Sequence, residues 1–350
     1  MNDQQNAPLQ KPFQLGKIFL PSNVLYAPLA GCSDFPFRQM SAAYKPGLIY
    51  CEMVKMDALI RHDQGTFHLL DYEKGMHPIG GQLCGSKPSI AAQAARIIEE
   101  LGFDVVDLNC GCPVDKITKD GSGSGMLKTP HLIGEIIANM VAAVKIPVTV
   151  KIRSGWDEEN INAATITQIA EEAGAAAICI HGRTRYQAYK GPANWEHIRA
   201  CKQVAKRIKV IGNGDITDAA AAQKMFAYTG CDAVLVARGT MGQPWIAEDI
   251  YRLLSGQEIR ERTLEDCRQA LLEHFHHTCS YHSDRRAVLD MRRVGCWYVK
   301  KAAGTREFRG AISKAGSIED IRSLITDFPL TMPAVGEYVA EEAECAECAG

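Results

Sequence analysis

The sequence predicts an α/β protein: a (β/α)8 TIM barrel followed by a smaller C-terminal α-helical domain. Two observations predict it. Short apolar segments alternate eight times with amphipathic helical segments between residues 24 and 245, and helical periodicity without strands follows from about residue 263 to residue 325. Eight such repeats favour a closed barrel over a six-stranded open sheet. The predicted strands cover residues 24–27, 48–53, 78–83, 105–109, 148–152, 177–180, 210–212 and 233–237.

Helix boundaries are marked by proline, glycine and capping residues. Pro88 stands at the first turn of the helix between the third and fourth strands, and Gly102 ends that helix. Asp218 begins another helix, which Gly230 ends. Proline at the first helical position and glycine just after the last are the usual arrangement, so these boundaries support alternating strands and helices.

The chain is long enough to bury a large core, with 350 residues of which 46% are apolar, since folding hides roughly three-quarters of the unfolded surface at this size. We predict a flexible N-terminal segment (1–18), a catalytic barrel (19–255), a helical domain (256–335) and an acidic C-terminal tail (336–350).

Composition excludes several classes of protein. The formal net charge of −2 excludes a globally basic nucleic-acid binder but permits a local basic face. The 13 cysteines lack the regular spacing of a disulfide framework, which favours a reducing compartment. No signal sequence, membrane-spanning stretch or paired zinc-ligand spacing is evident. We therefore expect a cytoplasmic protein without membrane contact and without a metal site.

Residues 104–113 form the most informative segment. A short β-branched run ends at Asn109, Gly111, Cys112 and Pro113. Side chains at the carboxyl end of a barrel strand face the ligand site, and Gly111 and Pro113 allow and fix a tight turn there. This pattern predicts that Cys112 points into a pocket, whereas strand alternation places Cys110 on the side opposite Asn109.

Polar residues follow the other predicted strands as well. A barrel interior normally holds Val, Ile and Leu, so amides and cations at these positions indicate a polar ligand site. A single histidine or lysine here could instead be structural or an ion-pair member. The glycines after the last two strands stand where barrels commonly hold a phosphate. The polar strand-end residues are Gln82, Asn109, Lys151, Arg153, His181, Arg183, Arg185, Asn213, Asp215 and Arg238.

The predicted helical domain contains a strongly basic stretch. Residues 285–314 contain nine Lys or Arg residues, and their only acidic residues are Asp290 and Glu307. Interleaved aromatic residues make this composition suitable for a phosphate backbone, with Arg292 and Arg293 as candidate contacts. A solvated helix face explains the same charges equally well.

The chain resembles the tRNA-dihydrouridine synthase family, particularly its bacterial B-type branch, over about residues 19–328. Two positions depart from the family pattern: Cys110 replaces the usual methionine, and Ala237 replaces a glycine. The resemblance is carried by residues 27–31 with Asp34 and Arg38, 52–54, 108–113, 150–153, 155–157, 181–185, 213–216, 237–239, 244–246 and Arg309.

This resemblance implies an FMN-bound enzyme that takes hydride from NADPH and reduces the C5=C6 bond of specific D-loop uridines in tRNA. Hydride would reach C6 from reduced FMN, and Cys112 would protonate C5 as the general acid. The target base would have to be unstacked from the folded RNA. We expect tRNA and NADPH as partners, no protein partner, and a monomer.

The resemblance also implies roles for residues of this sequence. Asn109 would help to bind the uracil, while Arg183 and Arg185 at the barrel mouth, together with Arg153 and the basic helical domain, would contact the substrate. The implied FMN contacts are Pro28, Leu29 and Ala30 against the flavin, Gln82, Lys151 and His181 at its ring, and Asn213, Gly214, Asp215, Ala237 and Arg238 at the ribityl chain and phosphate.

Two other classes of function remain open from the residues. One is a flavin barrel that acts on a free small molecule, against which the basic helical domain argues. The other is a non-catalytic RNA-binding scaffold, against which Cys112, Lys151 and His181 together argue.

Overall fold

The structure, a computed structural model, describes residues 12–300 and 302–331. A two-stranded antiparallel hairpin precedes the barrel and consists of β1 (Phe13–Leu15) and β2 (Ile18–Leu20). Phe13, Leu15 and Leu20 are buried in a cluster with the inward-facing residues of the barrel strands. The apolar side chains of this hairpin therefore close the amino-terminal end of the barrel, and the flexibility of residues 1–18 stays a prediction.

The barrel has eight parallel strands, as the sequence predicts, and closes by pairing the last strand with the first. A short ninth strand, which the sequence did not predict and which follows the predicted strand at 48–53, pairs with the carboxyl end of the third barrel strand. In chain order the strands are β3 (Val24–Tyr26), β4 (Leu48–Tyr50), the short β5 (Val54–Lys55), β6 (Ile79–Cys84), β7 (Val105–Cys110), β8 (Val148–Arg153), β9 (Ala177–His181), β10 (Lys209–Asn213) and β11 (Ala233–Val236).

Helices surround the barrel and bury their apolar faces against the outer sides of the strands. Pro88 begins the helix after β6, and the Asp218 carboxylate accepts the Ala221 N–H at 2.7 Å to cap the helix that Gly230 ends with φ of 67°, as predicted. The helices of this part are α1 (Phe35–Ala42), α2 (Met56–Ile60), α3 (Gln64–His68), α4 (Pro88–Glu100), α5 (Asp115–Thr118), α6 (Pro130–Ala143), α7 (Ala163–Glu172), α8 (Glu196–Val204), α9 (Ala219–Thr229) and α10 (Ile246–Leu254).

Four further helices follow and form a second core that includes Phe37 and Met40 of α1. None of the helices in the described part of the chain has the length and apolar character needed to cross a membrane. The domain boundaries at residues 255 and 335 stay predictions, and the predicted acidic tail lies outside the described residues. The four helices are α11 (Leu264–Tyr281), α12 (Asp284–Tyr298), α13 (Thr305–Ile312) and α14 (Ile318–Asp327).

A cluster of histidine, arginine and aspartate side chains joins the helical region to the barrel. His282 lies 3.5 Å from the Asp34 carboxylate, which caps α1, and 3.9 Å from that of Asp290. Arg286 and Arg293 also pair with Asp290, at 2.7 and 3.6 Å. Asp290 therefore has two arginine partners, and His282, which lies between the Asp34 and Asp290 carboxylates, ties α1 to α12.

The core of the helical region should make stability depend on pH. His274 is 1% exposed, and its Nδ1 lies 2.9 Å from the Tyr298 hydroxyl. Burial lowers the pKa of His274 from 6.5 to about 4. The imidazole of His274 therefore binds a proton more tightly in the unfolded chain than in the folded one. The free energy of unfolding is highest above pH 6.5 and decreases as the pH falls towards 4.

From this histidine alone we expect a loss of about 3 kcal/mol in the free energy of unfolding between pH 7 and pH 4. Urea denaturation of the wild type and of His274→Gln at both pH values would measure it. The variant should lose this part of the pH dependence. Equal pH dependence in the two proteins would contradict the assignment.

Candidate active site

Polar side chains from neighbouring strands meet at the carboxyl-terminal end of the barrel. They surround a small cavity lined by Pro28, Tyr50, Gln82, Asp107, Thr149, Lys151, Cys179, Ile211 and Leu235. A larger groove of about 950 Å³ lies elsewhere, and its lining includes Glu158, Trp195, Glu196 and Tyr228. None of the predicted site residues lines that groove, so we take the barrel mouth as the candidate active site.

A chain of side-chain hydrogen bonds runs from the barrel interior to Cys112. The Thr149 hydroxyl donates to Asp107 Oδ1 at 2.6 Å, and Gln82 Nε2 donates to Asp107 Oδ2 at 2.7 Å. Asn109 Nδ2 donates to Gln82 Oε1 at 2.8 Å. Asn109 Oδ1 then accepts the backbone N–H of Gly111 at 3.1 Å and that of Cys112 at 2.9 Å. The predicted residues Gln82, Asn109 and Cys112 therefore form one connected unit.

Asp107 and Thr149 belong to this unit but were not among the predicted site residues. Strand alternation could have identified Asp107, because it lies two positions before Asn109 on β7 and faces the same side. An acidic residue is also unusual inside a barrel. Burial raises the pKa of Asp107 to about 6.

Cys112 is partly exposed, and the loop that carries it is held from two sides. Its carbonyl accepts the Ser124 hydroxyl at 2.8 Å, while Arg153 Nε donates to the Gly111 carbonyl at 2.9 Å. Cys110 is fully buried in the core outside the barrel, as alternation predicts. Cys112 is therefore the thiol of this segment that a ligand can reach.

Arg153 differs from its predicted role. Its side chain is 2% exposed, and NH1 donates to the carbonyls of Thr184 at 2.8 Å and Ala188 at 2.7 Å, besides the Gly111 contact. These three bonds join the loop after β7 to the loop after β9. We therefore reinterpret Arg153 as a residue that positions the Cys112 loop and not as one that contacts RNA directly.

Lys151 lines the same cavity as Asp107 and is paired with Asn109 in the register of β8 and β7. Burial lowers its pKa, and the nearby Cys179 and Asp107 oppose that shift. No hydrogen bond or ion pair among the described residues engages its ammonium group. A partly buried ammonium in this situation favours an anion or a group that becomes anionic.

His181 and Arg183 form a second fixed unit. All five N–H groups of Arg183 have acceptors: the Gly191 carbonyl, both oxygens of Asp215 at 2.7 and 2.9 Å, and His181 Nε2 at 3.4 Å. The prediction that Arg183 holds tRNA phosphates therefore does not fit, because its donors are already used. We reinterpret Arg183 as orienting His181 and Asp215.

The histidine ring is neutral in this arrangement. Burial and the surrounding cations hold the pKa of His181 well below its usual value, which leaves Nε2 free to accept from Arg183. The remaining ring proton then lies on Nδ1. His181 can thus donate one hydrogen bond without carrying charge.

The loops after β10 and β11 fit a phosphate-bearing ligand. Gly214 has φ of 116°, and a Cβ there would lie 2.9 Å from the His181 ring. A Cβ on Gly239 would lie 2.2 Å from the Ile216 carbonyl. Arg238 is half-exposed, 3.5 Å from Asp215 and 4.9 Å over the Tyr189 ring. Close backbone packing beside an accessible arginine matches a phosphate cradle.

The other predicted contacts in these loops are less directly involved. The Asn213 amide is buried and donates to the Leu235 carbonyl at 2.7 Å, so it joins β10 to β11. Asp215 accepts from Arg183 and from the Ala193 N–H at 2.7 Å. Ala237 is half-buried at the start of a 3₁₀ turn.

The first barrel loop, with Pro28, Leu29 and Ala30, is partly or fully exposed at the mouth. The buried Glu52 carboxylate, which sequence reasoning did not assign, accepts the Gly31 N–H at 2.6 Å and fixes this loop. Burial raises the pKa of Glu52. The exposed small side chains leave room for a flat ring beside the cavity.

The remaining predicted arginines occupy different environments. Arg185 is paired with Asp115 and stacks over Trp156 at 4.7 Å, on the rim of the mouth. Arg292 donates from Nε and NH2 to the Ala315 carbonyl, at 2.9 and 2.5 Å, which holds its guanidinium within the helical region; its predicted phosphate contact stays a prediction. Arg293 faces the first barrel loop, 3.8 Å from Cys32 Sγ.

The cavity, the exposed first loop and the cradle together suit a flat heterocycle that bears a phosphate. The fold and this site define a (β/α)8-barrel enzyme whose ligand lies across the carboxyl ends of the strands. The chain belongs to the dihydrouridine synthase (Dus) family, whose model matches residues 25–327, and it is of the B type. The family resemblance seen in the sequence is therefore confirmed.

Curated relatives and solved structures agree with this assignment. The tRNA-dihydrouridine synthase B of Pseudomonas aeruginosa is 36% identical over 302 residues, which cover 86% of this chain and 91% of that protein. A probable tRNA-dihydrouridine synthase of Rickettsia bellii is 35% identical over 90% of this chain and 97% of its own length. A morphinone reductase structure matches with a TM-score of 0.54 and 16% identity, over 75% of this chain and 94% of its own. That likeness confirms the barrel fold.

Proposed function

We propose that this protein is a tRNA-dihydrouridine synthase, which reduces the C5=C6 bond of D-loop uridines in tRNA, and that Cys112 supplies the proton to C5. The single observation that supports this most is the partly exposed Cys112 thiol, held beside the Asn109 amide at the mouth of a polar barrel cavity. The Dus family, whose members are flavin-dependent oxidoreductases, supplies the reaction class.

FMN is the cofactor, and the residues of the mouth suit it. The half-buried Lys151 ammonium and the neutral His181 would lie at the isoalloxazine ring, and Gly214, Gly239 and Arg238 would hold the phosphate. When bound, FMN supplies the hydride that uracil receives at C6. Pro28, Leu29 and Ala30 would cover the ring from the first barrel loop.

The residues of the chain would complete the reaction. Addition of hydride at C6 leaves negative charge on the uracil ring, and the proton on Cys112 Sγ would pass to C5. Lys151, whose ammonium has no hydrogen-bond partner among the described side chains, would stabilise negative charge in the cavity. The resulting thiolate would regain its proton from solvent, since Cys112 is partly exposed.

Docking of tRNA would use exposed cations of the helical region. The side chains of Arg285 and Arg306 are exposed, and neither guanidinium makes a hydrogen bond or an ion pair with another described residue. They are better candidates for phosphate contact than Arg292, whose guanidinium is held by the Ala315 carbonyl. Arg293 and Arg185 lie closer to the mouth and would contact nucleotides near the target base.

Charge reversal at Arg285 and Arg306 should weaken tRNA binding and reduce its salt dependence. The slope of log K against log salt should fall by about 0.7 to 0.9 for each phosphate that is no longer neutralised. Filter binding at several salt concentrations would measure both effects. Reversal at Arg207, an exposed arginine of the barrel that pairs with Glu171, is the control and should leave the slope unchanged. An unchanged slope in the double variant would exclude Arg285 and Arg306 from the docking face.

Mass spectrometry of tRNA tests the function itself. In a strain lacking this gene, one or more tRNA uridines should be two hydrogens lighter than in the parent. The intact gene should restore the modification, and a gene encoding Cys112→Ala should not. Fully modified tRNA in the deletion strain would contradict the proposal.

We further propose that NADPH is the reductant, that the enzyme acts as a monomer and that it works in the cytoplasm. The eleven described cysteines are all free thiols, which suits a reducing compartment. Kinetics with NADPH and NADH, and light scattering of the purified protein, would test the first two statements.

A further inference from the structure

We propose that Asp107 is a positioning residue, which holds the Gln82 and Asn109 amides in one orientation and so leaves Asn109 with an N–H donor as its one unused polar group. This inference rests on the proposed function, because it concerns how the same site receives uracil. Asp107 is 3% exposed, and Gln82 is 1% exposed. Both residues are therefore shielded from water, which could otherwise replace a missing partner.

The direction of the hydrogen bonds follows from the carboxylate. An ionised carboxylate only accepts, and Asp107 receives Thr149 on one oxygen and Gln82 Nε2 on the other. The Gln82 carbonyl must then face away from Asp107, where it accepts Asn109 Nδ2 at 2.8 Å. If Gln82 were flipped, its carbonyl oxygen would face a carboxylate oxygen, and two buried acceptors would repel each other.

The same direction continues to the Cys112 loop. With Nδ2 bound to Gln82, Asn109 Oδ1 points to the backbone N–H groups of Gly111 and Cys112 and accepts both. That oxygen is thereby fully used, and Asn109 keeps a single free N–H. A donor at this position can pair with a carbonyl oxygen of uracil, but it cannot pair with an amino group. Through Gln82 and Asn109, Asp107 thus fixes the position of the Cys112 backbone. It also ensures that Asn109 offers the base a hydrogen-bond donor and not an acceptor.

Protonation of Asp107 would remove the preference for one orientation of the Gln82 amide, and with it the fixed orientation of Asn109. A neutral carboxylic acid can donate as well as accept, so it tolerates either orientation of the Gln82 amide. The charged and titratable groups facing Asp107 are Lys151 on β8, Tyr50 on β4 and Cys179 on β9, and the buried Cys110 lies on the opposite face of the same strand. Burial outweighs the Lys151 cation and raises the pKa of Asp107 to about 6. Turnover should therefore fall as the pH drops through this value.

The test uses FMN-loaded enzyme and an unmodified tRNA transcript. Asp107→Asn, with flavin content matching the wild type, should lower kcat by about ten- to a hundredfold. Thr149→Val removes the other hydrogen bond to the same carboxylate but keeps its charge, so it should cost less. Because Asp107 acts through Asn109, combining Asp107→Asn with Asn109→Ala should cost little more than Asn109→Ala alone.

The pH profile separates this role from a general structural one. The wild type should show an acid limb near pH 6, and Asp107→Asn should lack it. A kcat within about twofold of the wild type for the Asn variant, or additive losses in the double variant, would overturn the inference. If the Asn variant does not fold, the wild-type profile decides: a flat rate between pH 7 and pH 5 overturns it. A wild-type enzyme that forms no dihydrouridine would instead overturn the proposed function, and this inference with it.

Discussion

Replacing Cys112 with alanine should lower the rate of uridine reduction by about two to four orders of magnitude, the usual contribution of a general acid. The thiol is the partly exposed proton donor of the loop that Asn109, Ser124 and Arg153 hold in place. Alanine removes the proton donor and leaves the three backbone contacts intact. Single-turnover assays with tRNA would measure the loss, and the flavin absorbance should remain.

Cys110→Ala is the matched control. Its thiol lies two residues away but is buried in the core outside the barrel, so the variant should keep its turnover. Unchanged turnover for Cys112→Ala would remove this residue from the mechanism. A decrease confined to Cys110→Ala would show that the acid had been assigned to the wrong cysteine.

Lys151→Met should lower kcat by about two to three orders of magnitude, because one preorganised charge that stabilises a developing anion is worth that much. The methionine keeps the length of the side chain but removes the ammonium group, which no hydrogen bond among the described residues engages. Rapid-mixing measurements of the flavin spectrum and of product formation would separate binding from turnover. The KM for tRNA should change little, since Lys151 lies inside the barrel mouth.

Lys209→Met provides the comparison for this variant. Lys209 also lies on a barrel strand, but it stands at the start of β10, at the opposite end from the site, within 4.0 Å of Asp232. Its loss should leave turnover unchanged. If Lys151→Met reduced the rate no more than Lys209→Met, electrostatic stabilisation by Lys151 would be ruled out.

Local patterns determined the elements that depend on neighbours in sequence. The alternation of apolar segments predicted all eight barrel strands, and Pro88, Asp218 and Gly230 predicted helix ends that the structure contains. These features follow from backbone geometry and from capping within a few residues. The same alternation separated Cys112 from Cys110.

Long polar side chains could not be assigned in this way. Arg183 pairs with Asp215, 32 residues away, and Arg292 with the carbonyl of Ala315, 23 residues away. In the sequence each is simply a cation near a candidate site. A flexible arginine binds whichever acceptors the fold brings within reach. Only the tertiary contacts therefore distinguish an arginine that can bind phosphate from one with a structural role.

The sequence by itself thus determined the barrel, the order of its strands, the family and the set of strand ends that carry the chemistry. The tertiary structure decided which side chains already have hydrogen-bond partners, that the hairpin of β1 and β2 packs against the barrel, and that Asp107 connects Gln82 and Asn109 to Cys112. The physical reason is the range of the interactions. Periodicity and capping act over a few residues, whereas buried hydrogen bonds must find partners wherever the packed strands place them.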